Sequence, residues 1–373
     1  MHFIITKKEL LNALTVVSHA IASFSPLPLL STIKIDVELN HLLFTASNSD
    51  ISIKVKVEPN EDNLLEIKEM GSILLEAKYI NDIVRKLDGE IVHFESIDLL
   101  QILIKAEASQ FKINGSVADD YPEIDFTKPS TTFYMNQNEL KRVINQTIFA
   151  TSDKENRPAL TGVNFKCAGN TFQGVASDSY RLARKTLTLN ENLNFNIIVP
   201  AKSLQEMNKI VNGDGEVEIA IDDKKIQLYF DNIIFQSRLV DGTFPDANRL
   251  IPNNYDYILE VDYQELAGAI DRASFIKQDG ISVIKLSLSE EECILSSQSN
   301  VVGSFKQVLK RAKFNGRELI ISFNGKYVYD AIKAVNCSNI RFKLCGEMKP
   351  FVIESDQDES ILQLVLPVKT SNY

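Results

Sequence analysis

Ser177-Asp178-Ser179 sets hydroxyls on either side of a carboxylate, a grouping that could supply an activated nucleophile. Acyl transfer also needs a base. None of the four histidines, His2, His19, His41 and His93, is near in sequence, and the Gly-x-Ser-x-Gly elbow is missing. The same histidines have no zinc-ligand spacing. Asp222-Asp223 and the pair Asp356 and Asp358 could hold a cation, but turn carboxylates are more commonly solvated. There is no Gly-x-x-x-x-Gly-Lys-Ser/Thr loop for phosphates and no Gly-x-Gly-x-x-Gly after a strand. The sequence predicts no cofactor, no metal and no catalysis. A repeat-built enzyme using Ser177 and Asp178 stands as the alternative, as does a peptide-binding scaffold that never meets DNA.

The lysines say more. Lys78, Lys202 and Lys326 follow one another at intervals of 124 residues. Each follows an apolar strand end and a small residue, Ala77, Ala201 or Gly325, and opens a segment with helical periodicity. A second helix recurs around Leu10, Leu140 and Leu266, at intervals of 130 and 126 residues. Phe111 to Asn114, then Tyr121-Pro122, is matched by Phe235 to Arg238, then Phe244-Pro245. A fixed period of this kind decides the architecture. The chain reads as three tandem α+β domains, residues 1–127, 128–253 and 254–373, each of two similar halves with one helix and several antiparallel strands.

Within the first domain the sequence predicts a strand over Phe3–Ile5, a helix capped by Thr6, and strands over Thr32–Leu39, Leu42–Ser47 and Ile51–Val57. An acidic linker, Glu58–Glu69, leads to the helix over Lys78–Leu87 and three further strands. In the second domain a helix is predicted over Glu139–Thr151, with separate strands over Thr161–Cys167, Phe172–Ser177 and Arg181–Leu189. The third ends in the alternating strand Ile361–Val368.

The 373 residues carry a net charge of −10, against a protein that coats DNA nonspecifically. The predicted helices together carry +2, leaving −12 elsewhere, a bias suited to helices facing a polyanion. Cys167, Cys293, Cys337 and Cys345 show no Cys-x-x-Cys spacing and read as core thiols in a reducing compartment. The N-terminal charges follow the apolar run, the wrong order for a signal peptide, so a cytoplasmic site is expected.

Val175-Ala176-Ser177-Asp178-Ser179-Tyr180-Arg181-Leu182-Ala183 resembles the Ala-Thr-Asp-(Gly/Ser)-His-Arg-Leu signature of the bacterial sliding clamps, the beta subunits of DNA polymerase III. Leu239-Val240-Asp241-Gly242-Thr243-Phe244-Pro245-Asp246 and Leu364-Val365-Leu366-Pro367-Val368-Lys369 are similar to two further motifs of that family. The resemblance spans the chain. It implies three DNA-clamp domains, a head-to-tail homodimer closed into a ring, helices lining the bore, and a processivity factor without chemistry of its own. It also implies partners: duplex DNA, the polymerase catalytic subunit, the clamp loader and other clamp-binding-motif proteins.

By the same resemblance the DNA-facing residues are Lys78, Arg85, Lys141, Arg142, Lys154, Arg157, Lys202 and Lys326. The peptide-docking pocket would be Leu160, Ser177, Ser179, Tyr180, Arg181, Leu182, Pro245, Arg249, Leu250, Met348, Pro350, Leu364 and Leu366. Ring closure would use Phe111 and Ile113 from one copy with Phe275 and Ile276 from the other. Three departures stand out: Tyr180 replaces the family's commoner histidine, Ser179 replaces the glycine of some members, and Phe24 stands where an arginine is frequent.

Overall fold

A computed structural model describes residues 1–21, 27–277 and 280–369. Phe24, and with it the departure expected in that loop, lies outside the described residues. Six α-helices are found among them: α1 Lys7–Ser18, α2 Ala77–Lys86, α3 Gln137–Thr147, α4 Ala201–Ile210, α5 Tyr263–Ala273 and α6 Gly325–Val335. With these bounds they carry +1, +2, +1, +1, −1 and +1, five positive in all, because several terminal acids fall outside them. Thr6 caps α1 as predicted, its Oγ1 accepting from the Glu9 N–H; Asp262 and Asn324 cap α5 and α6 in the same way.

The chain folds as two compact bodies, residues 1–138 with 205–239, and residues 139–204 with 240 onward. The first holds a five-stranded sheet in the order Glu66–Glu69, His2–Thr6, Ile91–Asp98, Gln101–Ala106, Ser109–Asn114. Its eight-stranded sheet runs Thr131–Asn136, Glu216–Ile221, Lys225–Phe230, Ile233–Arg238, Ile51–Val57, Leu42–Ser47, Thr32–Val37, Gly71–Glu76. The second body holds a seven-stranded sheet in the order Gly162–Ser177, Arg181–Pro200, Ile361–Val365, Phe351–Ser355, Asn339–Leu344, Tyr257–Asp262, Ala312–Asn315. Its four-stranded sheet runs Gly303–Val308, Cys293–Ser299, Val283–Leu288, Leu319–Asn324. All ladders are antiparallel.

The division into bodies cuts through the central third of the chain because sheets run across the expected linkers. Ile51–Val57 pairs with Ile233–Arg238, and Arg181–Pro200 with Ile361–Val365. Three local expectations are corrected. The acidic stretch Glu58–Glu69 ends in a strand, since Ile67 pairs opposite Phe3 and ladder bonding overrides an acidic composition. The strands predicted over Thr161–Cys167 and Phe172–Ser177 are one strand with an irregularity between Gly169 and Thr171, and its partner continues to Pro200. The helix predicted to reach Thr151 ends at Thr147 and gives way to a 3-10 turn, Ile148–Ala150.

Each helix buries one stripe on its sheet. Leu10, Leu140 and Leu266, the repeated leucines, are all essentially without solvent contact. Gly174 admits α3 to its strand: a Cβ there would lie 2.6 Å from Val143 Cγ1. No helix among the described residues is long and apolar enough to cross a membrane.

Candidate functional site

The turn Ser177 to Arg181 organises the site. Ser177 is buried; its Oγ donates to the Arg181 carbonyl at 2.8 Å and accepts from the Ser179 N–H. Asp178 Oδ1 accepts from the N–H groups of Tyr180 and Arg181 at 2.9 and 3.1 Å. Ser179 takes a left-handed φ of 79°. The hydroxyl and carboxylate that could have suggested a nucleophile are thus spent on folding the turn. No group of three or more His, Cys, Asp or Glu side chains among the described residues could hold a metal ion.

Arg181 is 8% exposed and fully engaged. Its Nε donates to Asp178 Oδ2 at 3.0 Å, Nη1 to Asp330 Oδ2 at 2.6 Å and Nη2 to the Phe149 carbonyl at 2.5 Å. Its guanidinium also lies 4.5 Å from the Tyr327 ring centre. Asp330 and Tyr327 belong to α6, so this one side chain pins the turn to a helix some 150 positions later in the chain. Tyr180 is exposed and stacks on Tyr327 at 6.5 Å. The chain after the strand Ile361–Val365 is tied alongside, Leu366 N–H donating to the Tyr180 carbonyl at 2.9 Å.

Beside the turn is an apolar cluster. Leu160, Leu182 and Leu364 are buried in it with Val175, Ile198, Phe244 and Val352, and Leu366 packs against it half-buried. Ser179, Tyr180, Pro245, Arg249, Leu250 and Met348 are exposed around it and Pro350 is half-buried. The polar turn with buried ends, the apolar floor and the exposed mixed rim suit a groove for an extended apolar segment. A cavity of about 460 Å³ beside Phe275 and Ile281 is separate from this groove.

The sequence did not point to the residues that support the turn. Asp330, Tyr327 and Phe149 are remote in sequence, and nothing local signals their convergence. Arg184 had a signal: it is two residues beyond Leu182 on a strand, hence on the same face. Burial pushes its guanidinium below the ordinary arginine range, with Tyr255 opposing.

Among the predicted cationic residues, Lys78, Lys202 and Lys326 are each the second residue of α2, α4 and α6, and each is exposed. A cation at a helix N-terminus opposes the helix dipole by about 0.3–1 kcal/mol, so helix stability does not account for three such lysines. Arg85 is exposed and 3.4 Å from Asp82; Arg142 and Lys154 are exposed, and Lys141 is half-buried. Arg157 is exposed but committed, its Nη1 donating to Ser179 Oγ at 2.8 Å. Lys78 and Arg85 belong to the first body and the other six to the second.

The residues expected at ring closure divide likewise. Phe111 is exposed on Ser109–Asn114, the terminal strand of the five-stranded sheet, while Ile113 on the same strand is buried. Phe275 is 65% exposed, but Ile276 is turned into the core at 3%.

Sequence models of the DNA polymerase III beta subunit match the chain three times: the N-terminal domain over residues 1–125, the central domain over 134–246 and the C-terminal domain over 248–369. The beta sliding clamp of Staphylococcus epidermidis is 37% identical over 99% of this chain and 100% of its own length. The DNA polymerase sliding clamp of Bacillus subtilis has the same fold, with a TM-score of 0.95 and 36% identity over all of both chains. A Pseudomonas aeruginosa sliding clamp bound to griselimycin superposes with a TM-score of 0.93 at 27% identity, over 99% of this chain and 100% of its own. The chain belongs to the family of bacterial DNA polymerase III beta subunits, the non-catalytic sliding clamps of DNA replication.

Proposed function

We propose that two copies of this chain close head to tail into a ring around duplex DNA and tether the replicative polymerase and other DNA-processing proteins through the cleft beside Ser177 to Arg181. The reading treats residues 1–127, 128–253 and 254–373 as three clamp domains per copy. The observation that carries it is the pair of sheet edges. Ser109–Asn114 and Gly303–Val308 are two of the strands that end a sheet, one in each body, and among the described residues each has a neighbour on one side only. They differ in sequence, so pairing one with the other is heterologous, and such contacts close only by rotation. Phe111 and Phe275 supply exposed apolar area for that contact, with Ile113 and Ile276 as the buried backing beneath them.

The positive helices support the DNA side of the reading. Lys78, Arg85, Lys141, Arg142, Lys154, Lys202 and Lys326 would meet phosphates without reading sequence, which suits sliding. Arg157 would share itself between DNA and the Ser179 hydroxyl. In the cleft, Leu160, Leu182, Leu364 and Leu366 take the apolar anchor of a partner peptide. Arg181 holds the turn in place, and Tyr180, Pro245, Arg249, Leu250, Met348 and Pro350 form the rim. Such a protein works where DNA replication does, in the cytoplasm.

A ring is tested by topology. Loaded on nicked circular DNA by a clamp loader and ATP, the protein should remain bound, then leave within minutes once the circle is linearised. Equal retention on circles and on open linear DNA would sink the ring.

A further inference from the structure

Arg184 lies next to the cleft. Its cross-strand neighbours are Val175 on one side and Leu362 on the other, both part of the apolar cluster. Nη1 donates to Asn248 Oδ1 at 3.1 Å. Nε is shut off from solvent and has no acceptor among the described residues. No carboxylate among them is within ion-pair distance; Glu354, which flanks Tyr255, is held by Lys343 at 2.6 Å. The guanidinium is half-buried, and a charge partly withdrawn from water with its Nε shut off and no counter-charge is unfavourable unless something supplies one.

The internal repeat sharpens the point. Lys54 occupies the matching place 130 residues earlier. Its ammonium lies 4.1 Å from the centre of the Phe126 ring, so the chain itself covers that cation with an aromatic face. Arg184 receives one amide oxygen instead.

We propose that Arg184 is an anion-reading subsite at the end of the cleft, pairing with an aspartate or glutamate side chain that a docking peptide carries near its apolar anchor. The inference rests on the cleft being the peptide-docking site proposed above. Leu182, the anchor's floor, and Arg184 are two strand residues apart, about 7 Å, so the acid belongs about two residues from the anchor in an extended peptide. A carboxylate there would supply the acceptor that Nε lacks, in the forked geometry guanidinium favours. The site selects acidic over neutral partners.

The test uses fluorescently labelled, C-terminally amidated Gln-Leu-Ser-Leu-Phe peptides, extended so that Asp or Asn stands two residues before the first leucine or two after the phenylalanine. Polarisation titrations are run with the full chain, Arg184→Leu, Arg184→Lys and, as the cleft control, Leu366→Ala. At one position the Asp peptide should bind wild type about tenfold tighter than its Asn twin. That ratio should fall to about one in Arg184→Leu and partly survive in Arg184→Lys. Saturable binding with a ratio near one throughout, or an unchanged ratio in Arg184→Leu, overturns the subsite and leaves the cleft standing. No saturable binding to wild type overturns both. A free C-terminus that strengthens binding of the neutral peptide tenfold, through Arg184, while Asp does nothing would show that chain ends are read, which overturns the side-chain assignment. The peptide-side comparison on wild type holds even if a variant fails to fold.

Discussion

The turns at Ser47 to Ile51 and Ser177 to Arg181 are one design used twice, and they end in different places. In each, a serine hydroxyl donates to the carbonyl four residues on, and an Asn48 or Asp178 oxygen accepts the N–H groups two and three residues on. Ser49 and Ser179 share a φ of 79°. Each turn opens a strand that pairs with a strand from later in the chain: Ile51–Val57 with Ile233–Arg238, and Arg181–Pro200 with Ile361–Val365.

The side chains then exchange faces. In the first copy the inward row is Ile51, Ile53 and Val55, all buried, and the outward row is Ser52, Lys54 and Lys56 beside Gln236. In the second copy the inward row is Arg181, Ala183 and Lys185, and the outward row opens with Leu182 against Leu364. The buried cations are matched, Arg181 by Asp178 and Asp330, Lys185 by Asp358. Apolar residues stabilise such positions at least as well as buried ion pairs do, so the charges are better understood as holding geometry. An outward row turned apolar is what makes a cleft. The same fold yields a closed junction once and, once, the apolar surface proposed above for docking.

Arg181→Ala tests this contrast most severely. It leaves Asp330 and the Phe149 carbonyl without their donor and should lower the unfolding free energy by about 3–5 kcal/mol in urea titrations. Ile51→Val at the matching place should cost only about 1 kcal/mol. A loss within 1 kcal/mol of wild type for Arg181→Ala would mean the network does not hold the turn.

Next comes an exchange of rows. Leu182→Ser with Leu364→Gln gives the second junction the outward residues of the first, Ser52 and Gln236. Peptide affinity should drop more than tenfold, about 1.4 kcal/mol or more, with the circular-dichroism spectrum retained. Undiminished binding would place docking elsewhere.

A smaller effect concerns Asp358. Burial alone would raise its pKa, but the Lys185 ammonium and Ser360 outweigh that and hold it below the usual carboxylate value. The stability contributed is therefore complete above about pH 4 and is lost as pH falls through the lowered folded value. Because the carboxylate is partly exposed, the effect should be roughly 0.5–1 kcal/mol. Melting curves between pH 6 and 2.5 should fall less steeply for Asp358→Asn than for wild type; parallel curves would remove the pair from the account.

The subtlest comparison is between the two left-handed serines. Ser49→Gly should relieve strain and change stability by a few tenths to about 1 kcal/mol in the favourable direction. Ser179→Gly gains the same relief but gives up the bond from Arg157, so its net change should be smaller. Equal gains would show that the Arg157 bond adds nothing.

Much of this was legible beforehand. The lysines at 124-residue intervals announced the repeat, the alternation of Ile51, Ile53, Val55 and Val57 announced a buried strand face, and the segment from Val175 to Ala183 named the family. The support for Arg181 was not legible, since Asp330 is 149 residues away and only tertiary packing brings it near. The inward turn of Ile276 was not legible for a related reason: the family resemblance places it at ring closure beside the exposed Phe275, and only the turn following α5 directs it into the core. The two bodies were also hidden, because a strand's composition does not say whether its partner belongs to the same repeat.

The open edges Ser109–Asn114 and Gly303–Val308 bear on more than assembly. A strand edge with unpaired N–H and carbonyl groups is a template for any other extended chain. Each of these edges carries one lysine, Lys112 or Lys306, and one partly accessible phenylalanine, Phe111 or Phe305. On the pairing proposed above, a lone copy, freshly synthesised or released by dilution, would be a sticky particle whose colloidal fate depends on meeting its match before meeting debris. Pairing would be the protein's protection against precipitation as much as its route to function, and solubility should improve as concentration rises through the pairing range.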